Sequence, residues 1–260
     1  MSQHNTLSAD LRRRLTDRKI LLMTHLVLGY PSLAINREVI ARMAAGGVDC
    51  IELQIPFSEP MADGPVIVRA NQEALAGGIR VAECLDFAAE MVASHPQIHF
   101  FFMTYTNIMF RHGEGRFLER AAAMGMRGMI VPDLPPEEGQ QYLAGCRRHG
   151  LSPILFFTPT SSDERLHQMA ALGDGFIYVV ARRGVTGEKT MMDDGLAQYL
   201  HRCRQATDLP LAVGFGISER ADVAMLEGRA EMATIGTATI RLVDREGPAA
   251  VEGFIRGLRQ

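Results

Sequence analysis

The stretch "IELQIPFSEPMADGP", residues 51–65, reads first as a strand and then as a turn-rich loop. Ile51, Leu53 and Ile55 fall on one face and Glu52 and Gln54 on the other, because successive side chains of a strand point to opposite sides. If the strand belongs to a closed barrel, its apolar set packs on surrounding helices. Glu52 then points into the barrel, near its top. Whether the remaining chain builds such a barrel decides how this acid is read.

Working outward, short apolar runs alternate with amphipathic segments from end to end. Strand candidates are Leu21–Leu28, Cys50–Ile55, His99–Met103, Gly128–Val131, Ser152–Phe157, Phe176–Val180, Leu211–Val213 and Met232–Ile235. Helical patterns lie between them, such as "NREVIARMAAGG" before the second strand and "DERLHQMAALG" before the sixth. Eight βα units without a break in composition predict a single (β/α)8 barrel domain over residues 1–260. A doubly wound open sheet is the rival. Eight regular units, and no Gly-rich dinucleotide fingerprint after the first strand, favour closure. The segment "TLSADLRRRL" before the first strand predicts an extra N-terminal helix under the barrel.

Composition limits the function classes. With 260 residues, 47% hydrophobic, the chain is long enough for a large core. A net charge of −3 with interspersed signs argues against a nucleic-acid or membrane surface. Cys50, Cys84, Cys146 and Cys203 stand far apart with no ligand spacing, which argues against zinc and disulfides. The N-terminus has no apolar targeting core. A reduced, cytoplasmic enzyme is the simplest class.

In this architecture loops at the C-terminal ends of the strands build the site. Two are rich: residues 56–66, and "ARRGVTGEKTMMDDG" after strand 6. An inward Glu52 has little solvent around it and suits proton transfer; a structural acid paired with Lys or Arg fits the same position. Asp63, in "MADGP", is placed to fold over the mouth, although Asp before Gly is also an ordinary turn. Glu59 reads as a surface acid, and Asp133 closes strand 4 and equally suits the cap of a helix starting near Pro136. "RRGVTG" (182–187), "GFGIS" (214–218) and "IGTA" (235–238) form three turns suited to a phosphate, through Gly187, Gly214, Gly216, Gly236 and Thr237. Tyr105, Tyr178 and His25 are candidate pocket residues. His99 and His167 read as packed or surface residues, and the 15 methionines as core filling.

At "IPFSEPMADGP" the chain strongly resembles the tryptophan synthase alpha chain family, whose pattern is close to E-L-G-[IV]-P-F-S-D-P-[LM]-A-D-G-P. The likeness continues in order through "LGYPS" (28–32), "MTYTN" (103–107), "VPDLPPEE" (131–138), "TPTSSDERL" (158–166), "RRGVTG", "VGFGIS" and "IGTA". It implies a (β/α)8 barrel that cleaves indole-3-glycerol phosphate to indole and glyceraldehyde 3-phosphate. It makes Glu52 and Asp63 the catalytic acids, brings Tyr105 and Tyr178 to the substrate, and puts Thr186 on a closing loop. Gly187, Gly214, Gly216, Gly236 and Thr237 would hold the phosphate. It also implies a pyridoxal-phosphate-dependent beta chain in an alpha2beta2 heterotetramer, with no cofactor in this chain. Phe57 is expected to be exposed towards that partner, with inward packing on the barrel as the alternative. A stand-alone lyase and a silent activator of a beta chain are the alternatives. Departures from the family pattern are His25 for an aromatic, Gln54 for glycine, Glu59 for aspartate, Ala181 for serine and Thr237 for serine.

Overall fold

The computed structural model describes residues 6–181, 194–214 and 216–260. Eight strands form a closed, wholly parallel barrel: β1 (Leu21–Val27), β2 (Cys50–Gln54), β3 (His99–Met103), β4 (Gly128–Ile130), β5 (Ser152–Phe157), β6 (Ile177–Val180), β7 (Leu211–Gly214) and β8 (Met232–Ile235). Each strand pairs with its neighbour in sequence, and β8 returns to β1, with Leu21 opposite Met232. The expected closure is therefore observed. Strand ends differ from expectation by a residue here and there, where ladder bonding gives way to turns.

Alternation along each strand sorts the side chains into two layers. Leu22, Leu26, Ile51, Leu53, Phe100, Phe102, Met129, Phe157, Val179 and Val213 face the helices in one large core. Leu21, Met23, Cys50, Phe101, Ile130, Ile154, Ala212 and Met232 fill the barrel interior. Inward residues at the upper ends of β5 to β7, namely Phe156, Tyr178, Val180 and Gly214, are only half-buried. The lumen is thus packed below and open above, at the C-terminal ends of the strands.

The helices start and stop where local chemistry dictates. Ser32 caps helix Leu33–Gly46 by accepting from the Ile35 N–H, and Gly47 ends it at φ 90°. Ser162 caps Asp163–Leu172 in the same way, with two acids in the first turn. Pro65 opens helix Pro65–Ala76, as a residue lacking an N–H does at a first turn. The expected N-terminal helix is Leu7–Arg14; its buried Leu7 and Leu11 plug the barrel floor beside Leu21, Met23 and Phe176.

The floor is also tied by ions. Buried Asp49 accepts from the Leu22 N–H at 2.9 Å and pairs with Arg18 and with Arg259 of the last helix, Ala250–Arg259. His99, expected as a packed or surface residue, is buried against Asp10 of the N-terminal helix. Among the described residues, no helix is long and apolar enough to cross a membrane.

One close approach gives a stability prediction. A Cβ on Gly46 would lie 2.7 Å from Ile255 Cβ and 3.2 Å from the Glu252 carbonyl oxygen. Gly46→Ala should therefore wedge the last helix outwards. Overpacking of about 1–3 kcal/mol outweighs the gain of at most about 1 kcal/mol in helix propensity. Urea unfolding should show a lower midpoint; an unchanged or higher one would show that the two helices separate at no cost.

Candidate active site

Parity carries Glu52 into the lumen as expected, and it carries Gln54 and His25 with it. His25 and Glu52 are register partners across β1 and β2. His25 Nδ1 stands 3.3 Å from Glu52 Oε2, and the two side chains are 4% and 2% exposed. Among the described residues, this imidazole is the ion-pairing partner of Glu52, in the place where a structural Lys or Arg had been the alternative. Burial opposes the charged imidazole, but the hydrogen bond to Glu52 and the charges of Glu52 and Asp63 outweigh it, so His25 is held above its usual range.

Asp63 lies in the loop between β2 and helix Pro65–Ala76, and that loop folds back over the barrel. Gln54 Nε2 donates to Asp63 Oδ2 at 2.7 Å, and the Tyr105 hydroxyl donates to the same oxygen at 3.0 Å. Tyr105 is itself fully buried after β3 and accepts from the Ala62 N–H at 3.3 Å. Two donors on one oxygen hold the carboxylate in a single orientation, which an ordinary turn aspartate does not need. Burial pushes the Asp63 carboxyl up; the His25 charge and the two hydrogen bonds oppose this only in part. The Tyr105 and Tyr178 phenols are both pushed up, first by burial and then by neighbouring acids.

The lumen wall continues through Tyr178 and the late glycines. A Cβ on Gly214 would stand 3.6 Å from the Tyr178 hydroxyl and 3.7 Å from Thr234 Cβ. One on Gly236 would stand 3.7 Å from His25 Cβ. Gly216 is exposed with φ 88°, a conformation open to glycine and strained for other residues. Thr237 opens helix Thr237–Glu246. Gly214, Gly236 and Thr237 therefore border the same end of the barrel as the acids. Thr186 and Gly187 lie outside the described residues.

Several buried atoms here make no hydrogen bond with the protein: Glu52 Oε1, His25 Nε2, Gln54 Oε1 and Thr234 Oγ1. Buried polar atoms are normally partnered, so this group marks a wall built to meet polar groups of a ligand. Parity makes His25, Gln54 and Thr234 inward residues, so the sequence carried that signal, but only His25 had been singled out as a pocket candidate. Among the described residues, no group of three or more His, Cys, Asp or Glu side chains is arranged to hold a metal ion.

Two expectations are corrected. Phe57 is only partly exposed, because its ring stacks on Tyr105 with centroids 5.0 Å apart. The large apolar side chains exposed near the mouth are Met61, 76% exposed, and Phe110, 80% exposed. Asp133 does not cap a helix near Pro136, since the next helix begins at Gln140. Its carboxylate instead accepts from the Thr106 N–H at 2.9 Å and the Thr106 hydroxyl at 3.0 Å, capping helix Thr106–His112 from the neighbouring loop. Glu59 is exposed, as expected of a surface acid.

With this geometry in place, likeness to known proteins is informative. The family model of the tryptophan synthase alpha chain matches residues 11–255. The tryptophan synthase alpha chain of Desulfotalea psychrophila is 58% identical over 98% of this chain and 100% of its own length. That of Syntrophotalea carbinolica is 51% identical over 97% and 100%. Among solved structures, a Mycobacterium tuberculosis tryptophan synthase superposes with a TM-score of 0.90 at 31% identity, covering 97% of this chain and 96% of that one. A chain of the Pyrococcus furiosus tryptophan synthase complex gives 0.83 at 27% identity, over 92% and 97%. A buried acid pair at the mouth of a closed barrel, with a sequence match over nearly all its length, places this chain in the tryptophan synthase alpha chain family.

Proposed function

We propose that the chain carries out its family's lyase reaction, cleavage of indole-3-glycerol phosphate to indole and glyceraldehyde 3-phosphate, through Glu52 and Asp63. The observation that carries the reading is the pair itself. One inward carboxylate has an oxygen free of protein partners, and a second carboxylate is held over it by Gln54 and Tyr105.

The roles follow from the bonds that change. The carbon–carbon bond breaks once indole C3 is protonated, because the ring then accepts the electron pair. The adjacent glycerol hydroxyl must lose its proton as the aldehyde forms. Glu52, at the barrel's inner wall, is the group that moves these protons. Asp63 faces the charge that develops on the indole N–H, and a pre-oriented carboxylate stabilises it without reorganisation. Tyr105 and Tyr178 border the ring. Gly214, Gly216, Gly236 and Thr237 receive the phosphate on backbone N–H groups and the threonine hydroxyl.

The phosphate role has a direct test. Space beside Gly236 accepts a methyl group but little more, since a Cβ there would have His25 Cβ at 3.7 Å and Ile67 Cδ1 at 3.9 Å. Gly236→Ala, whose methyl group fits, should raise KM by about tenfold while the melting temperature stays near wild type, the loss of a single good anion contact. An unchanged KM would remove this turn from the phosphate site.

The partner in this reading is a beta chain that holds pyridoxal phosphate and consumes the indole, in an alpha2beta2 heterotetramer in the cytoplasm. Support comes from the exposed Met61 and Phe110, on segments following neighbouring strands at the mouth. Large apolar side chains left exposed on segments that follow β2 and β3 suit a protein interface. Docking there would brace the loop that carries Asp63 in the arrangement set by Gln54 and Tyr105. Titrating the beta chain while following indole release should accelerate the reaction by about 5- to 150-fold, an ordinary allosteric coupling. A flat rate with no co-elution would favour the stand-alone lyase.

A further inference from the structure

Glu52 is sealed from water, and a buried carboxylate is costly unless it is both paired and hydrogen-bonded. The group that meets this need is His25, directly opposite on the adjacent strand, with Nδ1 3.3 Å from Oε2. The other oxygen, Oε1, makes no hydrogen bond with the protein, and neither does His25 Nε2. His25 therefore engages one carboxylate oxygen and leaves the other on the lumen side, where the Tyr178 phenol is the next neighbour of Glu52.

We propose that His25 is a positioning residue for the cleavage reaction: its Nδ1–H fixes the Glu52 carboxylate through Oε2, leaves Oε1 for proton exchange with the substrate, and balances the carboxylate charge. The proposal rests on the reading of Glu52 as the proton shuttle. Gln54 serves Asp63 in a parallel way, since its amide holds Oδ2 of that acid. The titratable groups that act on the imidazole are Glu52 from β2 and Asp63 from the loop after it, and the Tyr178 phenol of β6 and the Tyr105 phenol beyond β3 act on those acids in turn. Gln54, and Thr234 on β8, add neutral polar atoms. The acids outweigh the desolvation of the ring and raise its pKa above the usual imidazole range. As pH rises through the raised His25 pKa the countercharge disappears, and Glu52 then faces a neutral imidazole.

A residue that merely filled space would alter stability alone, so the test reads kinetics against pH. His25→Phe keeps an aromatic ring without a donor. His25→Asn keeps a donor nitrogen near the Nδ1 position without the charge. Rates of indole release by the full chain are measured over about pH 5.5 to 9, with kcat and KM resolved at each point. For His25→Phe we expect kcat to fall about tenfold with KM within about twofold, and the acid limb to move up by about one pH unit. His25→Asn should recover most of the plateau rate while keeping the displaced limb. Wild-type kcat and profile in His25→Phe would overturn the proposal. So would a defect confined to thermal stability. If His25→Phe fails to fold, the His25→Asn profile decides: a displaced limb supports the proposal and a wild-type profile overturns it. Glu52→Gln, assayed in parallel, separates the two claims. Activity in Glu52→Gln removes the shuttle reading itself, whereas an inactive Glu52→Gln beside an unaffected His25→Phe removes only the positioning role.

Discussion

Glu52→Gln is expected to lower indole release by about 10²-fold or more, the usual scale for a lost general acid–base group. The substitution keeps the size of the side chain and an oxygen that can accept from His25 Nδ1, so the barrel should fold normally. It removes only the ability to take and return a proton. Asp63→Asn should fall by a similar factor for another reason: the amide still meets Gln54 and Tyr105 at one atom but no longer carries charge against the indole N–H. Steady-state assays with circular dichroism on the same samples check both. Near-wild-type release from a folded Glu52→Gln would leave the inward acid as a structural one.

The second large effect concerns stability and lies at the opposite end of the barrel. Asp49 has a fully buried side chain and receives the Leu22 N–H, Arg18 and Arg259 together. Asp49→Ala would leave a buried backbone donor without its partner and two guanidinium groups without their anion. Breaking a buried pair from one side costs about 3–5 kcal/mol; with Arg18 40% exposed, solvent softens this and we expect about 3 kcal/mol. Urea denaturation should show the loss, and the last helix should fray first in hydrogen exchange. A change below about 1 kcal/mol, the range of exposed pairs, would mean that the ions on the barrel floor are surface-like.

Much of this architecture was legible because one rule, side-chain alternation, governs every strand. Parity sent Glu52 and Gln54 inward and Leu53 outward, its place in strand 1 made His25 a pocket candidate, and the structure keeps these assignments. Helix starts follow equally local chemistry, as where Ser162 caps Asp163–Leu172. What parity did not reveal were contacts between separate loops. Asp63 becomes more than a turn residue only when Gln54 from β2 and Tyr105 from beyond β3 converge on it. Asp133 was read against the nearest helix in sequence, yet it caps the one nearest in space. Phe57 looked exposed because Pro56 and Ser58 flank it, but stacking on Tyr105 draws it in. Exposure passes instead to Met61 and Phe110, which no periodic pattern distinguished.

The central claim is that the two carboxylates bracket the reacting ring. The most direct measurement is a crystal structure of the folded Glu52→Gln variant with indole-3-glycerol phosphate, where blocked chemistry retains the substrate. We predict the indole N–H within hydrogen-bond distance of Asp63, C3 beside the side chain at position 52, and the phosphate at the turns of Gly214, Gly216 and Gly236. An indole ring lying away from both positions, with the phosphate elsewhere, would contradict it.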